Sequence, residues 1–448
     1  MPVIEVDNLI IGAGLVGALT ARTLADQGQR GVLLERSSDA GGVNGSFQDS
    51  LGNWFDYGRH VIHSDRSEFT RSYITDLMDD KLHHFDLERS IVVRGQLIPY
   101  ASGLDSWPSD LRKKIQLDTS VPILLGSERG EFARAYGDWF ANLVFDEMLE
   151  AYPSLRWQRQ RGIPESHLMR WIFPWFFPRT ANEVEPAPGS EVNVYSEESR
   201  DYHYRTRHSN PPVEKSMYPK ESGFAGIIQA LLRESQASFE LQLGVSQLDL
   251  ELEPEALTVS RVSTAENDYM AKRVFWCAPL PALCRYFDWS LPRGEAQWEI
   301  LGSFTFQDPV NMSEHEILFA DPAYRIRRIN NPGKIAGQSA SCTVQVEYTT
   351  LGEEVQEHAD SWQESWHSNL RELGLVEQKN RLLEFDLKKV PRGVVTTEDL
   401  DVFLETCTKH LRQGKGNLVT PHLAVASDNN CRLIPEVHHF IHSVLATT

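Results

Sequence analysis

The stretch from Val6 to Glu35, VDNLIIGAGLVGALTARTLADQGQRGVLLE, constrains the chain more than any other. An apolar run ends at Ile10 and Ile11, a G-x-G-x-x-G turn follows at Gly12, Gly14 and Gly17, and Ala18 to Gln27 keeps the apolar spacing of a helix. Strand, glycine turn, helix and second strand in that order make the opening βαβ unit of a dinucleotide-binding domain. Gly12 permits the sharp turn, Gly14 lets the backbone approach a pyrophosphate, and Gly17 lets the helix pack closely on the strand. The helix N-terminus offers N–H groups and a partial positive charge to phosphates. Glu35 ends the second strand, about twenty residues on, where a carboxylate takes both hydroxyls of an adenosine ribose and repels a 2′-phosphate. A lone glycine turn is weak, but here the strands, helix and acid stand at the right separations around it.

With 448 residues, the chain has the length of two or three domains and of a substantial core. A net charge of −19 argues against non-specific binding to nucleic acid or to an anionic membrane, both of which need a basic patch. Five cysteines, Cys277, Cys284, Cys342, Cys407 and Cys431, are widely spread with no C-x-x-C pair, and read as reduced thiols of a cytoplasmic protein. The N-terminus lacks a basic n-region and a signal-cleavage pattern, and no segment reaches the ~20 apolar residues of a bilayer span. Trp171 to Phe177, WIFPWFF, reads as a buried aromatic wall between domains rather than a lipid-dipping patch.

Beyond Glu35, the loop Arg36 to Asn44, RSSDAGGVN, carries a second glycine pair at Gly41 and Gly42, and Phe55 to Ser64 reads FDYGRHVIHS. A Rossmann unit followed by E-x-x-x-x-x-G-G and then D-x-G-x-H resembles the flavin-binding clan of amine oxidases, protoporphyrinogen oxidase and UDP-galactopyranose mutase. The resemblance implies FAD, with Gly41 and Gly42 along its pyrophosphate and ribityl chain and Arg36, Gly58 and His60 also among its contacts. It also implies the fold class: α/β, with a discontinuous Rossmann-like FAD-binding domain and a substrate domain of antiparallel sheet with a helical cap. On this reading residues 1–88, 216–294 and 413–448 build the FAD domain, and 89–215 and 295–412 the substrate domain.

Later segments fit that plan. Arg89 to Tyr100 alternates around an Arg-Gly turn as a hairpin, Asp138 to Trp157 resembles the cap, and Glu183 to Pro212 reads as a proline-rich linker. Met217 to Arg233 resembles the clan's Pro-x-x-x-G turn into a helix, with Ser222-Gly223 where two glycines are common. Phe239 to Leu248 follows as a strand in which Val245 matches the position that meets adenine through its backbone. Arg273 to Pro279, RVFWCAP, resembles the clan's buried strand near the cofactor. Ser341 to Tyr348 suits an antiparallel strand, and Ser361 to Leu373 a helix. The closing unit has a loop at Ser427 to Arg432 and a helix from Ile434. It resembles the last FAD motif, with Ser427-Asp428 in place of Gly-Asp, which leaves Asp428 and Ile434 as cofactor contacts.

Three constellations are candidates for chemistry. Gly58-Arg59-His60-Val61-Ile62-His63 resembles the Gly-Pro-His-x-x-His segment of the mutase beside the flavin ring, with Arg59 in place of proline. His60 and His63 are therefore candidates to set flavin protonation or hold substrate, the alternative being polar residues satisfied under a loop. In Tyr324-Arg325-Ile326-Arg327-Arg328, alternation would put Arg325 and Arg327 on one strand face, where arginine suits a phosphate or carboxylate; exposed sheet charges are the alternative. His438, His439 and His442 read as a solvated helix face, since the H-E-x-x-H order is absent.

The function expected is that of an FAD-dependent oxidoreductase, in which a small-molecule substrate passes a hydride to flavin between the domains. Two alternatives stand beside it. One is a mutase-like isomerase using reduced flavin on a nucleotide sugar, and the other a flavoprotein scaffold that has lost its chemistry. The partners that follow are a small molecule, anionic if the arginines face it, and NAD(P)H as a candidate reductant.

Overall fold

A computed structural model describes residues 2–100, 107–116, 118, 129–150, 156, 159–160, 214–287, 289–290, 296–394, 398–413, 416–421 and 430–447. The chain is mixed α/β, with a Rossmann-like sheet and a second, mostly antiparallel sheet. In the first, Phe239–Gln242, Gly31–Leu34, Val3–Ile11 and Asp268–Trp276 lie side by side and parallel, and Leu418–Val419 pairs with the far half of the last. Thr258–Thr264 and Leu248–Glu253 extend this sheet as an antiparallel edge.

The strand Val3–Ile11 shows why the sheet sits where it does. Its first half alternates with solvent, while Asn8, Leu9, Ile10 and Ile11 are all buried, as both-face coverage demands. Ile10, Leu33 and Phe275 meet the helices Leu15–Asp26, Ala225–Ser235 and Asn430–Thr447 on one side. Leu9, Val32, Leu34 and Trp276 meet Leu280, Leu283, Cys407 and Leu411 on the other. From Val3–Ile11 the chain goes to Gly31–Leu34 on one flank and later returns as Asp268–Trp276 on the other. The crevice beyond Ile11 is therefore the topological switch point, where open α/β sheets bind ligands.

The second sheet runs in the order Leu382–Val394, Ala296–Phe306, Thr343–Thr350, Arg328–Asn330, Glu316–Phe319, Arg89–Val93, Gln96–Pro99. The hairpin expected at Arg94-Gly95 forms, with both residues at positive φ as a tight two-residue turn requires. One sheet face carries Ile300, Phe304, Ile317, Ile329, Val344 and Val346 against Trp362, Trp366 and Leu370 of the helix Ala359–Glu372, whose spacing puts them on one stripe. A Cβ at Gly302 would lie 2.6 Å from the Trp366 ring, so glycine lets this helix sit close.

The other face is polar and yet buried. Thr343, Gln345, Glu347 and Thr349 share it with Glu299, Ser303, Thr305, Asn330 and Glu316 through the strand register. Further along, Ile91, Val93 and Leu318 pack under the helical segments between Trp107 and Leu149. A third, three-stranded sheet joins Ile62–His63, Lys215–Pro219 and Leu82–Asp86.

Several boundaries move from their sequence reading. The strand from Phe239 ends at Gln242, the expected strand at Ser341 begins at Thr343, and the last helix begins at Asn430, with Pro435 inside it. The aromatic run Trp171 to Phe177, the linker Glu183 to Pro212 and the pair Ser427-Asp428 lie outside the described residues.

Candidate functional site

The glycine turn folds for separable reasons. Gly12 stands at φ +102°, and a Cβ there would press on Cys277 and Ala278 at 3.1 Å. At Gly17 a Cβ would fall 1.8 Å from the Gly12 carbonyl oxygen, so only glycine lets helix and strand approach. Gly14 differs: its φ of −73° suits any residue, and the nearest protein atom to an added Cβ, the Gly41 carbonyl oxygen, is 3.8 Å away. Protein packing does not require glycine at this position, whereas a ligand lying against the backbone does.

The helix Leu15–Asp26 begins here with no side-chain cap and no acid in its first turn, which keeps its N-terminal field available to an anion. Gly41 and Gly42, at φ +139° and +57°, fold back onto the turn: Gly41 N–H donates to the Ala13 carbonyl at 2.9 Å, and Gly14 bridges Gly41. Glu35 accepts from Ala13 N–H at 2.7 Å on one oxygen and from Ser37 N–H at 2.8 Å on the other. A carboxylate oxygen has a second lone pair, so both remain able to take a hydroxyl. Arg36 beside it is exposed, and Val245 N–H donates to the Glu35 carbonyl at 2.9 Å. Ile434 is buried against the first helix's core.

At the strand end near the turn, burial pushes the Cys277 thiol up to about 12. It is no nucleophile at neutral pH. Cys277, Cys284, Cys342 and Cys407 are free.

Gly58, at φ +96°, leads into the histidine segment, which the structure splits. His60 reaches the glycine loop: its Nε2 lies 2.9 Å from the Val43 carbonyl oxygen, its Nδ1 3.4 Å from Asn44 Nδ2, and its ring 5.3 Å from that of Phe224. His63 does not join it. It is buried in the third sheet, with Nδ1 3.3 Å from Ser216 Oγ and 3.5 Å from Glu214, which also pairs with Arg66 and Arg89.

Arg325 and Arg327 do not lie on a strand. Asp321 caps a short 3-10 turn at Pro322–Tyr324, so Arg325 ends that turn at φ +49° and the strand starts only at Arg328. The Asp-Pro turn signal overrides the alternation. Arg325 pairs with Glu357 at 2.7 Å and lies over the Trp362 ring at 4.2 Å, while Arg327 pairs with buried Glu299 at 3.2 Å.

Nor is the histidine face of the last helix solvated. His438 rests against Phe69 and Tyr73, its Nε2 3.3 Å from that of His442, and only His439 is exposed. No cluster of three or more metal-ligating side chains occurs among the described residues.

Two features have roles that the motifs alone did not assign. Asp56, within FDYGRHVIHS, accepts from Ser46 Oγ (2.6 Å), Tyr218 Oη (2.8 Å) and Phe224 N–H (2.9 Å), and so ties this segment to the Ser222-Gly223 turn. Burial pushes its carboxyl up to about 6 against those hydrogen bonds. Both turn residues have positive φ, and a Cβ at Gly223 would crowd Ser46 Oγ at 2.4 Å, so the close approach keeps one glycine and places serine in the other left-handed position. The second feature is the buried sheet face, where Gln345 Nε2 donates to the Asp56 carbonyl and Thr305 Oγ1 to Asp49. Burial raises Glu316, but Arg59, Arg328 and Arg89 together hold it below the usual carboxylate value.

This geometry defines a dinucleotide-binding Rossmann-like domain, and residues 10–77 match the family model of the NAD(P)-binding Rossmann-like domain. Part of the chain is also similar to 15-cis-phytoene desaturases: 40% identical over 54 residues to that of Narcissus pseudonarcissus and 38% over 61 residues to that of Glycine max. These matches cover 12% and 14% of this chain and only 10% and 11% of those enzymes. Over its whole length the chain has the fold of known flavoproteins. A reduced UDP-galactopyranose mutase matches with a TM-score of 0.71 at 16% identity, covering 99% of this chain and 96% of that one. A putative protoporphyrinogen oxidase from Exiguobacterium matches at 0.62 and 13%, covering 99% of both. A putrescine oxidase matches at 0.56 and 12%, covering 99% of this chain and 100% of that one. At these identities the likeness is one of fold. Among the described residues no helix is long and apolar enough to cross a membrane.

Proposed function

We propose that this chain is a non-covalent FAD protein of the cytoplasm and an oxidoreductase in which a small-molecule substrate passes a hydride to the flavin. The observation that carries the reading is the space beside Gly14, which no packing demand explains, bordered by an uncapped helix N-terminus and by Glu35. Gly12 to Gly17 would hold the pyrophosphate, Glu35 the ribose, and the Gly41-Gly42 loop the extension toward the ring. That second glycine pair, whose Gly41 bridges Gly14, favours FAD over a nicotinamide dinucleotide. Bound there, FAD supplies the hydride acceptor. The chain's own part is to orient it. Glu35 takes hydroxyls, the helix dipole balances phosphate charge, and His60 closes on the glycine loop.

A second reading, an isomerase acting on a nucleotide sugar, is favoured by the Gly58-Arg59-His60 segment. The anion site it needs is not supplied simply by Arg325 and Arg327, each of which already holds a carboxylate. Heating the purified protein should release yellow FAD. Recovery of NAD alone, or a colourless protein that takes up no FAD, rejects the assignment. Glu35→Ala should weaken FAD by about 1 to 3 kcal/mol, the scale for bonds to a charged group. Anaerobic bleaching by an amine supports the oxidoreductase, and turnover of a UDP-sugar without net redox supports the isomerase. Titrating both ligand classes against Arg325→Lys and Arg327→Lys then separates an anion site, which Lys cannot reproduce, from an arginine that only braces the sheet.

A further inference from the structure

The Gly58–His60 stretch is held from two sides. Toward the second sheet, Arg59 N–H donates to Glu347 Oε1 at 2.7 Å, and its guanidinium lies 2.7 Å from Glu316 Oε2. Both carboxylates are buried, and both are shared with Arg328: its Nε donates to Glu347 at 3.0 Å, and it lies 3.7 Å from Glu316. Toward the first sheet, the next residue, His60, meets the Val43 carbonyl through Nε2 and Asn44 Nδ2 through Nδ1. A carbonyl only accepts, so the Val43 contact requires a hydrogen on Nε2. The loop it grips starts at Gly41 and Gly42, and Gly41 is pinned to Ala13 and Gly14. A continuous set of contacts therefore runs from Glu316 and Glu347 through Arg59 and His60 to the glycine turn.

We propose that Arg59 is a positioning residue: anchored on Glu316 and Glu347, it seats the His60 imidazole, its Nε2–H on the Val43 carbonyl, against the glycine loop that borders the cofactor. The mutase segment this stretch resembles has proline here. Proline has neither an N–H nor a charge and would lose both contacts, whereas any other residue keeps the N–H contact to Glu347 and only a basic side chain keeps the one to Glu316. The part concerning the cofactor rests on the FAD reading above; the seating of His60 does not.

The decisive variants are Arg59→Lys and the pair Arg59→Gln with Glu316→Gln, which removes both charges and avoids stranding one in the interior. In the protein without flavin, 15N resonances of His60 should report the Nε2–H form in the wild type. The paired variant should give a mixture, with amide exchange at residues 42–45 several-fold faster, and Arg59→Lys should recover most of the wild-type behaviour. With FAD bound, the paired variant should shift the flavin midpoint potential as His60→Gln does, and the triple variant should shift it no further. Unchanged tautomer and exchange in the paired variant would overturn the proposal, as would a potential shift that adds to that of His60→Gln. A wild type that takes up no FAD defeats the FAD reading instead, and the imidazole and exchange measurements then decide alone whether Arg59 seats His60.

Discussion

The glycine turn and the polar face of the second sheet meet at residues 56–60, and they are built by opposite means. The turn is backbone: Gly12, Gly14 and Gly17 fit because side chains are missing, and one contiguous stretch supplies the whole unit. The sheet face is side chain: Arg59, Glu316, Arg328 and Glu347 come from distant points of the chain and compensate one another's charge in the interior. A backbone-built site is sensitive to added volume, while a charge-built one is sensitive to a lost partner, because an unpaired buried ion costs far more than the pair contributes. The two regions should therefore fail under different substitutions, and by different amounts.

The largest effect is expected at Glu347. It accepts from Arg59 N–H, Arg328 and Asn330 Nδ2, so Glu347→Ala leaves a buried guanidinium without its main partner and two donors unmet. A loss of about 3 to 5 kcal/mol follows, measurable by urea unfolding. A loss below about 1 kcal/mol would place water at this face and remove the contrast with the turn.

Next comes Asp56, where the two regions are joined. Its folded pKa, raised to about 6 by burial, exceeds the unfolded value, so the folded state binds the proton more tightly. Its stabilising contribution is full below about pH 4 and is lost as pH rises through 6, amounting to about 3 kcal/mol for a shift of some two units. Asp56→Asn should thus gain on the wild type by about that amount between pH 4 and pH 7.5 in paired unfolding curves. A difference that is flat, or that runs the other way, would mean the hydrogen bonds from Ser46, Tyr218 and Phe224 outweigh burial.

The contrast also explains what the sequence could reveal. The βαβ unit, the Arg94-Gly95 hairpin and the Gly41-Gly42 loop are legible because neighbouring residues determine them. The alternation in Thr343–Thr350 tells only that its two faces differ. That Gln345 and Glu347 are as buried as Val344 and Val346 depends on Asp56 and Arg59 arriving from elsewhere. For the same reason His60 and His63, three residues apart, look like one motif but face different partners. Arg325 and Arg327 were misplaced more simply, since the cap by Asp321 starts a turn where alternation suggested a strand.

A smaller loss is expected at Gly17. Its missing Cβ would overlap the Gly12 carbonyl oxygen, so Gly17→Ala must push the first helix off the strand it covers. Overpacking of this kind costs about 1 to 3 kcal/mol, and a thermal melt of the protein without cofactor should record it. An unchanged melting temperature would show that the turn relaxes freely, against the close packing assigned to Gly17.

The smallest stability effect belongs to Gly14, three residues earlier in the same turn. Its dihedrals are open to alanine and no protein atom crowds the site, so Gly14→Ala restricts the unfolded chain without straining the folded one. The cofactor-free protein should be unchanged or more stable by about 0.4 to 1 kcal/mol. Cofactor binding should behave in the opposite way, because the new methyl occupies the space where a pyrophosphate would lie against the backbone. An FAD affinity at least about tenfold weaker, a cost of about 1.4 kcal/mol or more, is the expected result from fluorescence titration. Packing alone would link the two measurements, lowering stability and affinity together as at Gly17. Gly14→Ala separates them if the space is reserved for a ligand, and wild-type FAD affinity in this variant would remove the observation on which the cofactor assignment stands.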